Sequence, residues 1–410
     1  MSALKDIQHI TNLDRELVVI ISDFHLLSPL NWSIEVQKEF LTQAKKRNYI
    51  LPEVVYPKND YSEKIEVLKK YLVKLGTDEH PAIAFLRSTA DSYLTAYYIL
   101  QGVGTSAVTE YSKELYGAPQ DHLVGYKRSN LDVARYFLRV VKQYNKTIRE
   151  EPLIYSAQEF ALEMQKKVCE IIPPDRDVIN ITVDEKIIAR AAAGPNYVKI
   201  RKDAFFSHND LLQLVNHEVF THTLTYLNGR KQPVLQSLGY SSPRITTTQE
   251  GLAVFSEYIS MSIELVRLQR IALRIVALSM AEDGANLIDL YKFFKHNGEN
   301  SEESYFSAMR TLRGGTPKGG IIFYKDNIYL KGLMEVESFL KKSMHNGTLH
   351  HIALLFTGKL TTQDVLNMRP LMEQGYIIPP VYMPSWALNS SELAAHLAFN
   401  DITERFKIKS

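Results

Sequence analysis

Residues 211–227 read LLQLVNHEVFTHTLTYL, an apolar helical run interrupted by His217, Glu218 and His222. The apolar spacing places this segment in a buried helix rather than an exposed loop. Imidazoles and a carboxylate in such a helix need partners, because an unpaired polar group in the interior is costly. On a regular α-helix, at about 100° per residue, positions five apart diverge by roughly 140°, whereas positions four apart diverge by only about 40°. His217 and His222 are five apart, so they share a face only if the turn between them holds an extra residue. The spacing predicts a π-bulge with i to i+5 hydrogen bonding within 217–222, a distortion frequent at functional sites.

Metal ligation is one way to satisfy these groups. A neutral imidazole offers a lone pair to Zn²⁺, and an adjacent glutamate can take a proton from water at the metal. His217 and His222 are thus candidate ligands of one zinc per chain, and Glu218 a candidate general base, although the usual zinc-protease helix has two rather than three residues between Glu and the second His. The structural alternative is a helix with one core histidine bonded to a neighbour and the other near the surface. A hydrolytic zinc site takes three protein ligands, so a further donor is needed. Glu250, in TTTQEGLAVF, is the expected one. Thr247 and Glu250 also have capping-box spacing, so Glu250 could instead serve a backbone N–H. Glu257, further along the same helical face, is the rival ligand. His208, His296, His345, His350 and His351 lack ligand spacing to a second donor and read as surface or packing residues.

The composition narrows the other possibilities. A hydrophobic share of 45% and a charged share of 23% over 410 residues describe a chain able to bury a substantial core. A formal charge of +2, without a dense basic run interleaved with aromatics, gives no support for nucleic-acid binding. Cys169 is the only cysteine, which excludes an intrachain disulfide and a thiolate metal cluster. The first residues lack the pattern of a secretory signal, so cytoplasmic residence is the default expectation. The apolar stretches LVVIISDF and IALRIVAL are too short for a membrane span or broken by Arg274, so a soluble protein is expected.

Helical periodicity marks the segments 62–76, 81–101 and 130–145, and another helical pattern runs from Ser33 onward. In the first of these Ile65, Leu68, Leu72 and Leu75 make one stripe, with Ser62 as N-cap and Gly76 as stop. Ser156 and Glu159 form a capping box for a helix running towards Cys169. Strands are expected at 178–183, 187–192 and 197–200, the last two joined by a Gly194-Pro195-Asn196 turn. Ser207 to Asp210 marks the start of the HEVFTH helix, and 247–281 reads as one long helix. The fold class expected is α+β and predominantly helical. It comprises a helical N-terminal lobe (1–155) and a zincin-like catalytic lobe (156–410) with a small sheet near the active-site helix, or both lobes on one core.

The run HEVFTH, then QEGLAVFSEY, then Arg313-Gly314-Gly315 and FYKDNIYLKG at 323–332, resembles the microtubule-associated tyrosine carboxypeptidase family. Its microbial members are labelled flavohaemoglobin expression-modulating QEGLA-motif proteins. The resemblance implies a zinc-dependent carboxypeptidase in which His217 and His222 hold zinc with Glu250, and Glu218 is the catalytic glutamate. Its eukaryotic members remove a C-terminal Tyr or Glu from tubulin tails.

The expected chemistry is attack of a zinc-bound water on the scissile carbonyl, with Glu218 taking the proton and passing it to the leaving amine. Tyr329, with Tyr324 behind it, is the candidate donor to the oxyanion, a core tyrosine being the alternative. The substrate is a peptide or protein C-terminus, whose carboxylate suits an arginine fork. Arg313 is the first candidate for that role, with Arg244 and Lys325 as alternatives and Asp326 orienting Lys325; surface ion pairing is the plainer reading of each. Two other functions fit parts of the pattern: a non-catalytic regulatory protein with a structural zinc, and a zinc aminopeptidase or amidohydrolase that would not need Arg313.

Overall fold

Amphipathic stripes in the N-terminal third pair off as packed helices. In the computed structural model, which describes residues 2–144, 151–185, 187, 190–194 and 196–405, these are α1 (Ser2–Ile21), α2 (Ile34–Lys45), α3 (Ser62–Leu75), α4 (Pro81–Gln101), α5 (Ala107–Tyr116) and α6 (Asn130–Tyr144). Helix α3 differs in detail from the expected stripe. Tyr71 rather than Leu72 joins Ile65, Leu68 and Leu75 in the interior, because its hydroxyl finds the Leu13 carbonyl at 3.0 Å. Ser62 is the first helical residue and not the cap; Asp60 accepts from its N–H and O–H. Gly76 ends the helix at φ +57°, a conformation that glycine adopts without strain. Asn145, expected as the end of α6, lies outside the described residues.

The middle of the chain carries the strands. These are β1 (Tyr155–Ser156), β2 (Asn180–Asp184), β3 (Ala191–Ala193), β4 (Tyr197–Arg201) and β5 (Phe205–Phe206). β1 pairs antiparallel with β5, while β4 sits between a parallel β2 and an antiparallel β3. Of the strand expected at 187–192, Ile188 and Ala189 lie outside the described residues, as does Pro195 of the expected turn. Helix α7 (Ala157–Cys169) opens on the Ser156/Glu159 capping box, and α8 (His208–Leu214) opens on a Ser207/Asp210 box. Helix α8 runs directly into a π-helix, Val215–Thr223, and then α9 (Leu224–Arg230).

The segment 247–281 is two helices, α10 (Thr246–Ile259) and α11 (Leu265–Glu282). Met261 breaks it, with φ 55°: its N–H reaches Tyr258 O at 3.1 Å and the next N–H, of Ser262, reaches Glu257 O at 2.9 Å. That double return is a Schellman terminator with Met where glycine is usual, so the sequence carries no stop signal there. Helices α12 (Leu287–His296), α13 (Ser301–Thr311) and α14 (Ile328–His345) follow, with shorter ones up to Arg405.

One hydrophobic core takes Leu17 and Leu86 from the N-terminal helices and Val254, Leu330 and Leu397 from the C-terminal half. A second core joins Phe160 of α7, Val198 and Ile200 of β4, and Val219 of the π-helix. The chain leaves the first core after Leu138, contributes to the second from Tyr155 to Leu227 and returns to the first from Val234. No helix among the described residues is long and apolar enough to cross a membrane.

Candidate functional site

The extra residue that the His217–His222 spacing demands is accommodated by the π-helix. Thr221 Oγ1 donates back to the Asn216 carbonyl, five residues earlier, at 2.9 Å, and the two imidazole rings come to 5.1 Å between centroids with planes at 84°. Helix α10 crosses beside them and is held there by contact with α14. Gly251 lies so close to Gly332 that a Cβ added at Gly251 would stand 2.1 Å from the Gly332 carbonyl carbon. The glycine after Glu250 is therefore required by backbone approach.

This crossing brings Glu250 to the histidines. Its Oε2 lies 3.4 Å from His217 Nε2 and 3.8 Å from His222 Nε2, and one donor atom from each of the three residues falls within 4.8 Å of the others. Glu250 does not cap its helix: α10 starts at Thr246, and the residue before it, Ile245, makes no side-chain cap. The rival Glu257 occupies a different place. It accepts from His217 Nδ1 at 2.6 Å and pairs with Arg267 at 3.3 Å, which leaves His217 Nε2 to face Glu250. A carboxylate behind the first nitrogen fixes the ring and directs the second, an arrangement typical of metal-binding histidines. Burial works against a charged His217, but Glu250 and Glu257 outweigh it and hold its pKa well above the ordinary value. Two carboxylates gathered on a buried imidazole call for positive charge, and two imidazoles with one carboxylate are donors that suit zinc.

These residues line a cavity of about 640 Å³, with Glu218, Tyr329 and Lys325 also on its wall. Glu218 makes no hydrogen bond or ion pair among the described residues and is partly exposed to the cavity. Tyr329, 9% exposed, receives Arg310 Nη2 on its hydroxyl at 3.4 Å. Lys325 Nζ stands 3.7 Å from Glu250 Oε1.

The remaining expected residues lie elsewhere. Arg313 lines a second cavity. Arg244 is engaged by Asp364 through two bonds, of 2.8 and 2.5 Å. Tyr324 donates to Glu282 at 2.7 Å, so it does not back Tyr329, and Asp326 binds Arg310 rather than orienting Lys325. The structure adds two buried residues to the first cavity. Lys359 donates to the His222 carbonyl at 3.2 Å, and burial pushes its pKa down to about 8. Gln249 accepts from Thr225 at 2.9 Å while its Nε2 has no partner. Gln249 had a local signal, as the neighbour of Glu250; Lys359, 137 residues from His222, had none.

A buried histidine, a half-buried histidine and a carboxylate on one cavity wall, beside an unpaired glutamate, make a group of donors that could hold a metal ion. The sequence matches the microtubule-associated tyrosine carboxypeptidase family over residues 38–405, nearly its whole length, and the chain belongs to that family. Membership implies a carboxypeptidase-type activity on protein or peptide substrates. No individually curated protein matches the sequence.

Proposed function

We propose that this chain is a zinc metallocarboxypeptidase that removes C-terminal residues from peptides or proteins. The observation that supports it is the gathering of His217, His222 and Glu250 within 4.8 Å on a cavity that Glu218 also lines. Those three residues would hold the ion, and zinc there supplies Lewis acidity, polarising a carbonyl and making water easier to deprotonate. Glu218 takes the proton of the attacking water and returns it to the leaving amine. Freedom from other hydrogen bonds suits it to that exchange. Tyr329, oriented by Arg310, and the unpartnered Nε2 of Gln249 donate to the oxygen that gains negative charge. Lys325 takes the terminal carboxylate, the only one of the three cations expected for this role that lines the cavity. We read the unit of β2–β4, α8 and the π-helix as a zincin-like lobe, and the single free Cys169 accords with a cytoplasmic setting.

The test is Glu218→Gln. Its zinc content should stay near one per chain by elemental analysis, while truncation of a C-terminally diverse peptide library, read by mass spectrometry, should fall by about 10²-fold or more. Turnover at the wild-type rate would remove Glu218 as the base, and internal cleavage instead of stepwise loss would remove the exopeptidase assignment.

A further inference from the structure

The second cavity, of about 400 Å³, is walled by Arg274 of α11, by Tyr305, Phe306 and Arg310 of α13, by Arg313, and by the 31–37 segment that leads into α2. Its charge is unbalanced. Arg310 is bound by Asp326 in a fork, Nε to Oδ2 at 2.9 Å, but Arg274 comes no nearer to that carboxylate than 3.9 Å. Arg313 is only 7% exposed and has no ion pair among the described residues. Glu299 bears on Arg274 from beside Ser307, and positive charge is still in excess.

The polar atoms at this wall are also unmatched. Arg274 Nε, Arg313 Nε and the Tyr305 hydroxyl are all buried without a hydrogen-bond partner. A buried donor left unpaired costs about 1–3 kcal/mol, and more when charged, so three of them gathered around one cavity favour an anionic occupant there. Ser33 and Ile34, the N-cap and first residue of α2, line the same space, and Ser33 makes no side-chain cap there. A helix start adds partial positive charge to the guanidinium groups. Burial and the neighbouring Arg310 push the pKa values of Arg274 and Arg313 down to about 10, more than Asp326, the counter-charge they share with Arg310, offsets.

We propose that this second cavity binds a small organic anion, its carboxylate or phosphate head on Arg313, Arg274 and Tyr305 and its apolar body against Trp32 and Phe306. Trp32 is a fixed wall: its Nε1 donates to Tyr56 at 2.7 Å, and Tyr56 in turn to the Gly315 carbonyl at 2.9 Å. The site is separate from the His217 cavity. Tyr329 stands between them, lining the first while its ring and hydroxyl touch Arg274 and Arg310 of the second. The proposal does not depend on peptidase activity.

Calorimetric titration of the full chain at low salt with phenyl phosphate, benzoate and inorganic phosphate tests it. Saturable 1:1 binding of phenyl phosphate or benzoate is expected, and the tighter of the two identifies the head group. Arg313→Gln should weaken binding roughly tenfold or more. Ser33→Asp removes no side-chain cap and places there a residue as favoured as serine at a helix N-cap, so it should leave the fold intact, while its charge should weaken binding several-fold. Lys325→Met, on the first cavity, should bind as wild type. The proposal is overturned if neither organic anion saturates, if Arg313→Gln and Ser33→Asp bind as wild type, or if Lys325→Met alone loses binding. Inorganic phosphate binding as tightly as phenyl phosphate would remove the organic part of the assignment.

Discussion

Replacing Gly251 by alanine should separate the two helices that build the cation site. A methyl group there would stand 2.1 Å from the Gly332 carbonyl carbon, whereas ordinary contact begins near 3.4 Å, so α10 must move by about 1.3 Å relative to α14. Both partners are backbone, and no side chain can swing aside to absorb the clash. Overpacking of this kind costs about 1–3 kcal/mol, and alanine's better helix propensity returns roughly 1 kcal/mol. The expected result is a net loss of up to about 2 kcal/mol in urea unfolding followed by circular dichroism. A second consequence follows from position. Glu250 precedes the glycine, and a displacement of that size far exceeds the tolerance of about 0.2 Å in metal–ligand distances. Zinc affinity, measured by competition with a chromophoric chelator, should fall at least tenfold. Gly332→Ala, whose Cβ would meet the Thr247 carbonyl oxygen at 2.1 Å, should reproduce both effects. Wild-type unfolding midpoint and zinc affinity in Gly251→Ala would refute the close-approach reasoning.

Glu250→Ala should abolish stoichiometric zinc binding, whereas Glu257→Gln, which disturbs only the orientation of His217, should weaken it by about 10–100-fold; the reverse order in a zinc titration would make Glu257 the ligand. Asp14 gives a pH test remote from the site. Burial raises its pKa from 3.8 to about 6 against the lowering effect of its bonds to Ser237. The folded protein then binds more protons than the unfolded chain between these values, so stability falls as pH rises from about 4 to 6 and levels off above, by at most about 3 kcal/mol. Asp14→Asn should flatten that slope and raise stability at pH 7, and an unchanged slope in unfolding titrations would show that Asp14 does not titrate there.

The π-helix was legible because a five-residue spacing of two histidines admits few other geometries. The capping boxes at Ser156/Glu159 and Ser207/Asp210 were legible because each is a local contact over three residues. The break at Met261 was not, since the left-handed residue there is not glycine and its hydrogen bonds resemble a continuing helix until the chain turns. Tyr71 displaced Leu72 from the core for a similar reason: its hydroxyl partner, Leu13, belongs to another helix.

Periodicity, spacing and short-range chemistry are properties of neighbouring residues, so the sequence by itself determined the helical character, the distorted HEVFTH turn and Glu250 as the third candidate donor. Which cations face which cavity is decided by helix crossings between residues far apart in the chain. Only the tertiary structure placed Lys325 and Lys359 beside the histidines, engaged Arg244 with Asp364, and sent Arg313 to the second cavity. A long cationic side chain goes where packing leaves it a partner or a void, and no local pattern encodes that choice.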